Sequence, residues 1–177
     1  VIAGARTLSG NPERLAALAL GYRLKSIADT MLTREQLPAY RRLMSSMYGP
    51  RLAGLGIDVT SGAHAREPAQ RRALRESLAL LVALEARDPV LRAEMVVAAK
   101  AYLGGDLHAL DPSFRAVALQ VAAQDGDNAL LSQLKEVLLR SSDPQFKVDA
   151  SIAIGSVDTA ASADASGFSS STMRTSL

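Results

Sequence analysis

The chain has 177 residues, 48% of them hydrophobic, which is enough for one domain with a real core and too little for several. It has no cysteine, so a disulfide framework, a thiolate nucleophile, a zinc finger and an iron-sulfur site are excluded. With 20 Lys plus Arg against 18 Asp plus Glu, the formal charge of +2 is far from the concentrated positive field of a nucleic-acid binder, and no such partner is expected.

No apolar run approaches the roughly 20 residues that cross a bilayer, so a soluble protein without a membrane partner is expected. Residues 1–10 lack a basic start followed by a long apolar stretch. No targeting segment is read there, and the expectations are a cytoplasmic location and, from a start at Val1 without methionine, a fragment.

The first predicted helix begins at about Pro12. Leu15, Leu18 and Tyr22 make one apolar face and Leu20, Leu24, Ile27 and Met31 another, which implies deep burial. Thr33 and Gln36 form a capping-box pattern that opens a helix carrying Leu37, Tyr40, Leu43, Met44 and Met47, with Pro38 confined to its first turn. Residues 48–68, with Gly or Pro at 49, 50, 54, 56, 62 and 68, read as a long connector holding no more than one short helical turn. Leu74, Leu78, Leu81 and Val82 mark the next helix.

Four prolines follow an Asp or Asn: Asn11-Pro12, Asp88-Pro89, Asp111-Pro112 and Asp143-Pro144. Each pair reads as a helix start, because the side chain accepts a bond from a first-turn N-H and proline loses nothing where its N-H would have no helical partner. The helix from Pro89 runs to about Leu103 and stops at Gly104-Gly105. After Pro112, Phe114, Val117, Ala118, Val121 and Ala122 recur at helical spacing until Gly126. Leu130, Leu131, Leu134, Val137 and Leu138 line another helix that closes near Ser141, before Asp143-Pro144 opens the last. No strand alternation appears. The reading is an all-α fold, a superhelical stack of antiparallel helix pairs of HEAT/ARM-like type over residues 1–157, with a Ser/Ala-rich tail at 158–177 read as disordered.

Most site chemistry finds no support. The two histidines, His64 in the connector and His108 in the turn before Asp111, lack the i, i+4 spacing of a helical metal pair and read as solvated loop residues. No G-x-S-x-G elbow or phosphate-cradling loop exists. Asp125, Asp127 and Glu136 imitate positions 1, 3 and 12 of a calcium loop, but Ala129 and Leu130 stand at positions 5 and 6, so Asp127 reads as a helix cap. No catalytic, metal or cofactor-binding residue is assigned. The densest basic cluster is Arg66, Arg71, Arg72 and Arg75, to which Arg41 and Arg42 could add. It reads as a solvated helix face paired with Glu67 and Glu76, or, for Arg71, Arg72 and Arg75, as a contact for a peptide or other carboxylate.

Two stretches carry a family resemblance. One is Tyr48-Gly49-Pro50-Arg51-Leu52-Ala53-Gly54-Leu55-Gly56, followed by Arg72-Ala73-Leu74-Arg75 and the apolar helix to Leu84. The other runs through Ala101-Tyr102-Leu103-Gly104-Gly105-Asp106 and Leu110-Asp111-Pro112-Ser113-Phe114-Arg115 to Asp143-Pro144 and Ala153-Ile154-Gly155. Together they resemble the C-terminal helical domain of zinc aminopeptidases of the aminopeptidase N, puromycin-sensitive and endoplasmic-reticulum type.

The resemblance implies a HEAT-like superhelix folded over a separate thermolysin-like domain that holds the zinc. The helical domain would break no bonds; it would close the chamber of an enzyme that removes N-terminal residues from peptides. Its partners would be that catalytic domain and the peptide substrate, and zinc would belong to the full-length enzyme. The zinc-binding helix motif and substrate loop of the family are absent from these 177 residues. Where the family continues with another helix, this chain enters its serine-rich tail. That would leave the face around Phe146, Val148, Ile152 and Ile154 without a neighbour and favour self-association. The rival reading is a free-standing HEAT-like scaffold that binds a partner protein.

Overall fold

The computed structural model describes residues 14–165, and side-chain surroundings from 18 to 157. Among them the regular structure is entirely helical: α1 (Arg14–Met31), α2 (Leu37–Leu55), α3 (Ala69–Leu80), α4 (Pro89–Leu103), α5 (Pro112–Asp125), α6 (Asn128–Arg140) and α7 (Pro144–Ala165). The end of α3 widens into a π-helical turn, Leu81–Glu85. The all-α expectation holds. The helix start expected at Asn11-Pro12 and residues 166–177 of the tail lie outside the described residues, while α7 continues past Val157 to Ala165.

Helix starts follow the aspartates. Asp88 accepts from the N-H groups of Val90 and Leu91 at 3.1 and 2.9 Å, and Asp111 from that of Ser113 at 3.0 Å. Asp127 accepts from Leu130 N-H at 2.7 Å and Asp143 from Gln145 N-H at 2.9 Å. Caps of this kind contribute about 1 kcal/mol each. At Thr33 half of the capping box forms, its N-H donating to Gln36 Oε1 at 3.0 Å.

The expected break at Tyr48 does not occur, because α2 runs through Pro50 to Leu55. A mid-helix proline removes one hydrogen bond and crowds the preceding turn. Here Met44, Tyr48 and Leu52 lie on one face at i, i+4 and i+8, exposed by 0%, 0% and 4%, while Pro50 points to solvent. Burying those three large side chains, at about 1.5–3 kcal/mol each, outweighs the proline penalty. Gly56, with φ +69°, then ends the helix in a conformation that favours glycine.

Helix α5 is the hub. It packs between α4 and α7, α6 leans on α7, and α1, α2 and α3 gather around the π turn. Phe114, Val117, Ala118, Leu119, Val121 and Ala122 are all buried, so apolar atoms cover α5 around most of its girth. Arg115 bolts α5 to α7: its Nε donates to Asp149 at 2.8 Å, its Nη1 to Asp143 at 3.1 Å, and its guanidinium lies 5.8 Å from the Phe146 ring centroid. Phe146 is therefore buried, contrary to the expectation of an uncovered face there, and Ile154 is half-buried; Val148 and Ile152 do stand exposed.

Helix α1 crosses the π turn and α2 at Gly21. A Cβ built there would lie 2.7 Å from the Tyr48 hydroxyl and 2.9 Å from a Leu81 methyl, so only glycine allows this approach.

Candidate functional site

The arginines singled out in the sequence go to different places. Arg75 is 1% exposed and serves the fold. Its Nε donates to the Gly56 carbonyl at 2.7 Å, its Nη2 to the Leu55 carbonyl at 3.1 Å and to Glu67 at 2.9 Å, and its Nη1 lies 2.7 Å from the other Glu67 oxygen. It thereby satisfies the carbonyls left open where α2 ends, and it is neither a solvated residue nor one open to a ligand. Arg71 is exposed and pairs with Glu67 at 3.4 Å. Arg72 is exposed and lines a pocket of about 280 Å³ between the connector, α3 and the start of α5, beside His64, Glu76 and Ser113. Arg41 lines a different cleft.

His64 is not a solvated loop residue either. Its Nε2 accepts from the Asp58 N-H at 3.2 Å, its Nδ1 lies 3.5 Å from Glu67, and its ring meets Phe114 edge-on with centroids 6.4 Å apart. The accepted bond at Nε2 places the proton of the neutral ring on Nδ1, facing Glu67. His108 is exposed, as expected.

The connector is stitched down rather than loose. Ser61 N-H donates to the His108 carbonyl at 2.9 Å, Asp111 N-H to the Val59 carbonyl at 2.7 Å, and Gly62 N-H to Asp111 Oδ2 at 2.8 Å. Asp111 thus caps α5 with one oxygen and grips the connector with the other. Partial burial opposes its ionisation, but the Ser113 hydroxyl and the Gly62 and Ser113 N-H groups outweigh that and hold its carboxyl below the ordinary range.

A second cleft, of about 350 Å³, opens between α1, α2, the π turn, α5 and α7. Nothing in the sequence pattern announced it. Buried Glu85 accepts from Tyr40 at 2.9 Å and lies 3.0 Å from Lys25, which also meets Asp29 at 3.0 Å. Burial first, and then the Glu85 charge, raise the Tyr40 phenol well above its usual value. Arg87, on the cleft lining, reaches Asp125 at 3.2 Å, the carboxylate that Arg92 clasps at 2.5 and 2.6 Å.

The π turn creates this corner. Ala86 N-H reaches back to the Leu81 carbonyl and Asp88 N-H to the Val82 carbonyl, which leaves the Ala83 carbonyl to accept from Arg92 Nη1 at 2.8 Å. Arg87 occupies the left-handed region at φ +53°, a place where glycine is usual. Turns of this type cluster at functional sites. The sequence offers no glycine there as a signal.

The aspartates that imitate a calcium loop in sequence have structural roles: Asp125 pairs with Arg92 and Asp127 caps α6. Among the described residues no group of three His, Asp or Glu side chains is placed to hold a metal ion, and no helix is long and apolar enough to cross a membrane.

The described residues form a stack of helices tied to one another and to the connector by buried ions, with two clefts opening between them. The chain belongs to the ERAP1-like C-terminal domain family, whose model matches residues 8–171; it is the C-terminal domain of an ERAP1-like aminopeptidase. No curated protein and no solved structure gives a match.

Proposed function

We propose that this domain forms a wall of the peptide chamber of a zinc-dependent aminopeptidase whose bond-breaking groups reside in a separate catalytic domain. The observation that carries the reading is the family match across residues 8–171. The site chemistry agrees with it: buried Arg75, Arg92 and Arg115 are all committed to joining helices, the use of charge expected of a rigid wall.

The described residues of this chain do not suit zinc. His64 is engaged through both nitrogens with Asp58 and Glu67, and no trio of ligands converges among the described residues. Zinc belongs, in this reading, to the catalytic domain, where it would polarise the scissile carbonyl and activate water. This domain contributes enclosure and contact to the distal part of the peptide. Among Arg71, Arg72 and Arg75, Arg72 suits that contact best, being exposed on the pocket wall, with Arg71 beside it; buried Arg75 does not. A cytoplasmic location accompanies the proposal.

The test uses the full-length enzyme. Arg72→Ala should raise KM for long peptides severalfold and leave hydrolysis of an aminoacyl chromogenic substrate unchanged, since the short substrate does not reach this wall. The isolated chain should neither hydrolyse that substrate nor retain zinc. Stoichiometric zinc in the isolated chain would overturn the reading.

A further inference from the structure

The second cleft holds an imbalance of charge that its own residues do not correct. Lys25 is matched by Glu85 and Asp29, and Glu85 is filled by Lys25 and Tyr40. Arg87 and Arg92 share the single carboxylate of Asp125. Arg41, half-buried on the opposite wall, has no carboxylate within ion-pair reach among the described residues. Lys25, Arg41, Arg87 and Arg92 thus stand against Asp29, Glu85 and Asp125, four cations to three carboxylates, and both carboxylates on the lining are engaged by Lys25, which leaves the excess charge with Arg41 and Arg87.

We infer that this cleft is a binding site for a small oxyanion, a carboxylate or phosphate group carried by a soluble molecule, held between Arg41 and Arg87.

Guanidinium forks match both groups through paired N-H donors, and an anion there removes the repulsion that the two arginines exert on each other. Burial, the Arg92 charge and the Arg41 charge all disfavour the protonated form of Arg87 against the support of Asp125, so the wall carries a standing electrostatic demand for a further anion. The left-handed backbone at Arg87 supports the same conclusion. Arg87 holds a backbone conformation that costs energy for any residue but glycine, and its side chain lines the cleft. A volume of about 350 Å³ accommodates a ligand of several heavy atoms, and Ala28, Leu37 and Leu84 supply apolar wall for the body of an organic acid. The site is distinct from the pocket beside Arg72 and does not depend on the chamber reading.

The experiment is calorimetric titration of the 177-residue chain with sodium phosphate and, separately, with succinate, at one fixed low ionic strength. Saturable 1:1 binding of either anion is expected, weakened at least tenfold by Arg41→Gln and unchanged by Arg66→Gln, which removes the same charge from the exposed connector. Arg87→Gly, which relieves the backbone while deleting the guanidinium, should weaken binding similarly, so misfolding of one variant does not decide the result. Binding of phosphate alone, of succinate alone or of both supports the site and identifies its source. Absence of saturable binding to either, or equal weakening by Arg41→Gln and Arg66→Gln, overturns it.

Discussion

Arg92 and Asp125 lie 33 positions apart and meet through two hydrogen bonds, one from Nε to Oδ2 at 2.5 Å and one from Nη2 to Oδ1 at 2.6 Å. The pair ties the first turn of α4 to the last residue of α5, and the remaining Arg92 nitrogen takes the Ala83 carbonyl opened by the π turn. Removing Arg92, which is 4% exposed, strands the Ala83 carbonyl and leaves the Asp125 carboxylate to Arg87 alone. Arg92→Ala should lower unfolding free energy by about 3 kcal/mol in urea denaturation. Arg92→Lys should recover less than half, because an ammonium group does not reproduce the fork.

The same pair sets a response to acid. Hydrogen bonding from Arg92 holds the Asp125 carboxyl below its ordinary value, against partial burial. A depressed folded value contributes stability above the unfolded pKa of about 4 and loses it as pH falls through the folded value. Urea midpoints measured from pH 6 down to pH 2 should therefore fall, and Asp125→Asn should flatten that fall while lowering the midpoint at pH 6.

Arg75 and its sequence neighbours should separate cleanly. Arg75→Met leaves two backbone carbonyls and Glu67 without their donor, at a cost of about 3 kcal/mol. Arg71→Ala and Arg72→Ala, exposed on the same helix, should change stability by less than about 0.5 kcal/mol. Equal effects at all three positions would contradict the burial of Arg75.

Gly21→Ala sets two effects against each other. Alanine gains up to about 1 kcal/mol over glycine inside a helix, but its methyl would collide with Tyr48 and Leu81, and overpacking costs about 1–3 kcal/mol. Net destabilisation is expected, read as a lower melting temperature.

Val148 and Ile152 lie one turn apart on α7 with about half of each exposed. We propose that this strip mediates self-association. The double change to serine should leave the melting temperature within a few degrees and reduce any concentration-dependent mass in sedimentation; an unchanged mass distribution would sink the idea.

Local chemistry with a short range was legible. The Asp-Pro pairs at 88, 111 and 143 gave helix starts because a cap and its target N-H are two or three residues apart, and the period of Phe114, Val117 and Val121 gave α5 its buried face. What failed depends on distant partners. Pro50 read as a breaker because the burial of Tyr48 and Leu52 that overrides it is tertiary. Arg75 read as surface charge because the carbonyls it satisfies are some twenty positions earlier. Phe146 read as uncovered because Tyr102 and Arg115 cover it from other helices. The second cleft stayed hidden since it joins five elements, and a left-handed arginine leaves no mark in the alphabet.

The wide turn at 81–85, whose Leu81, Val82, Ala83 and Glu85 are buried, makes the molecule sensitive to length as well as to chemistry. Each residue advances a helix by about 100°, so deleting a single one from that turn would swing the heading of everything downstream by that amount, parting Arg92 from Asp125 without altering either.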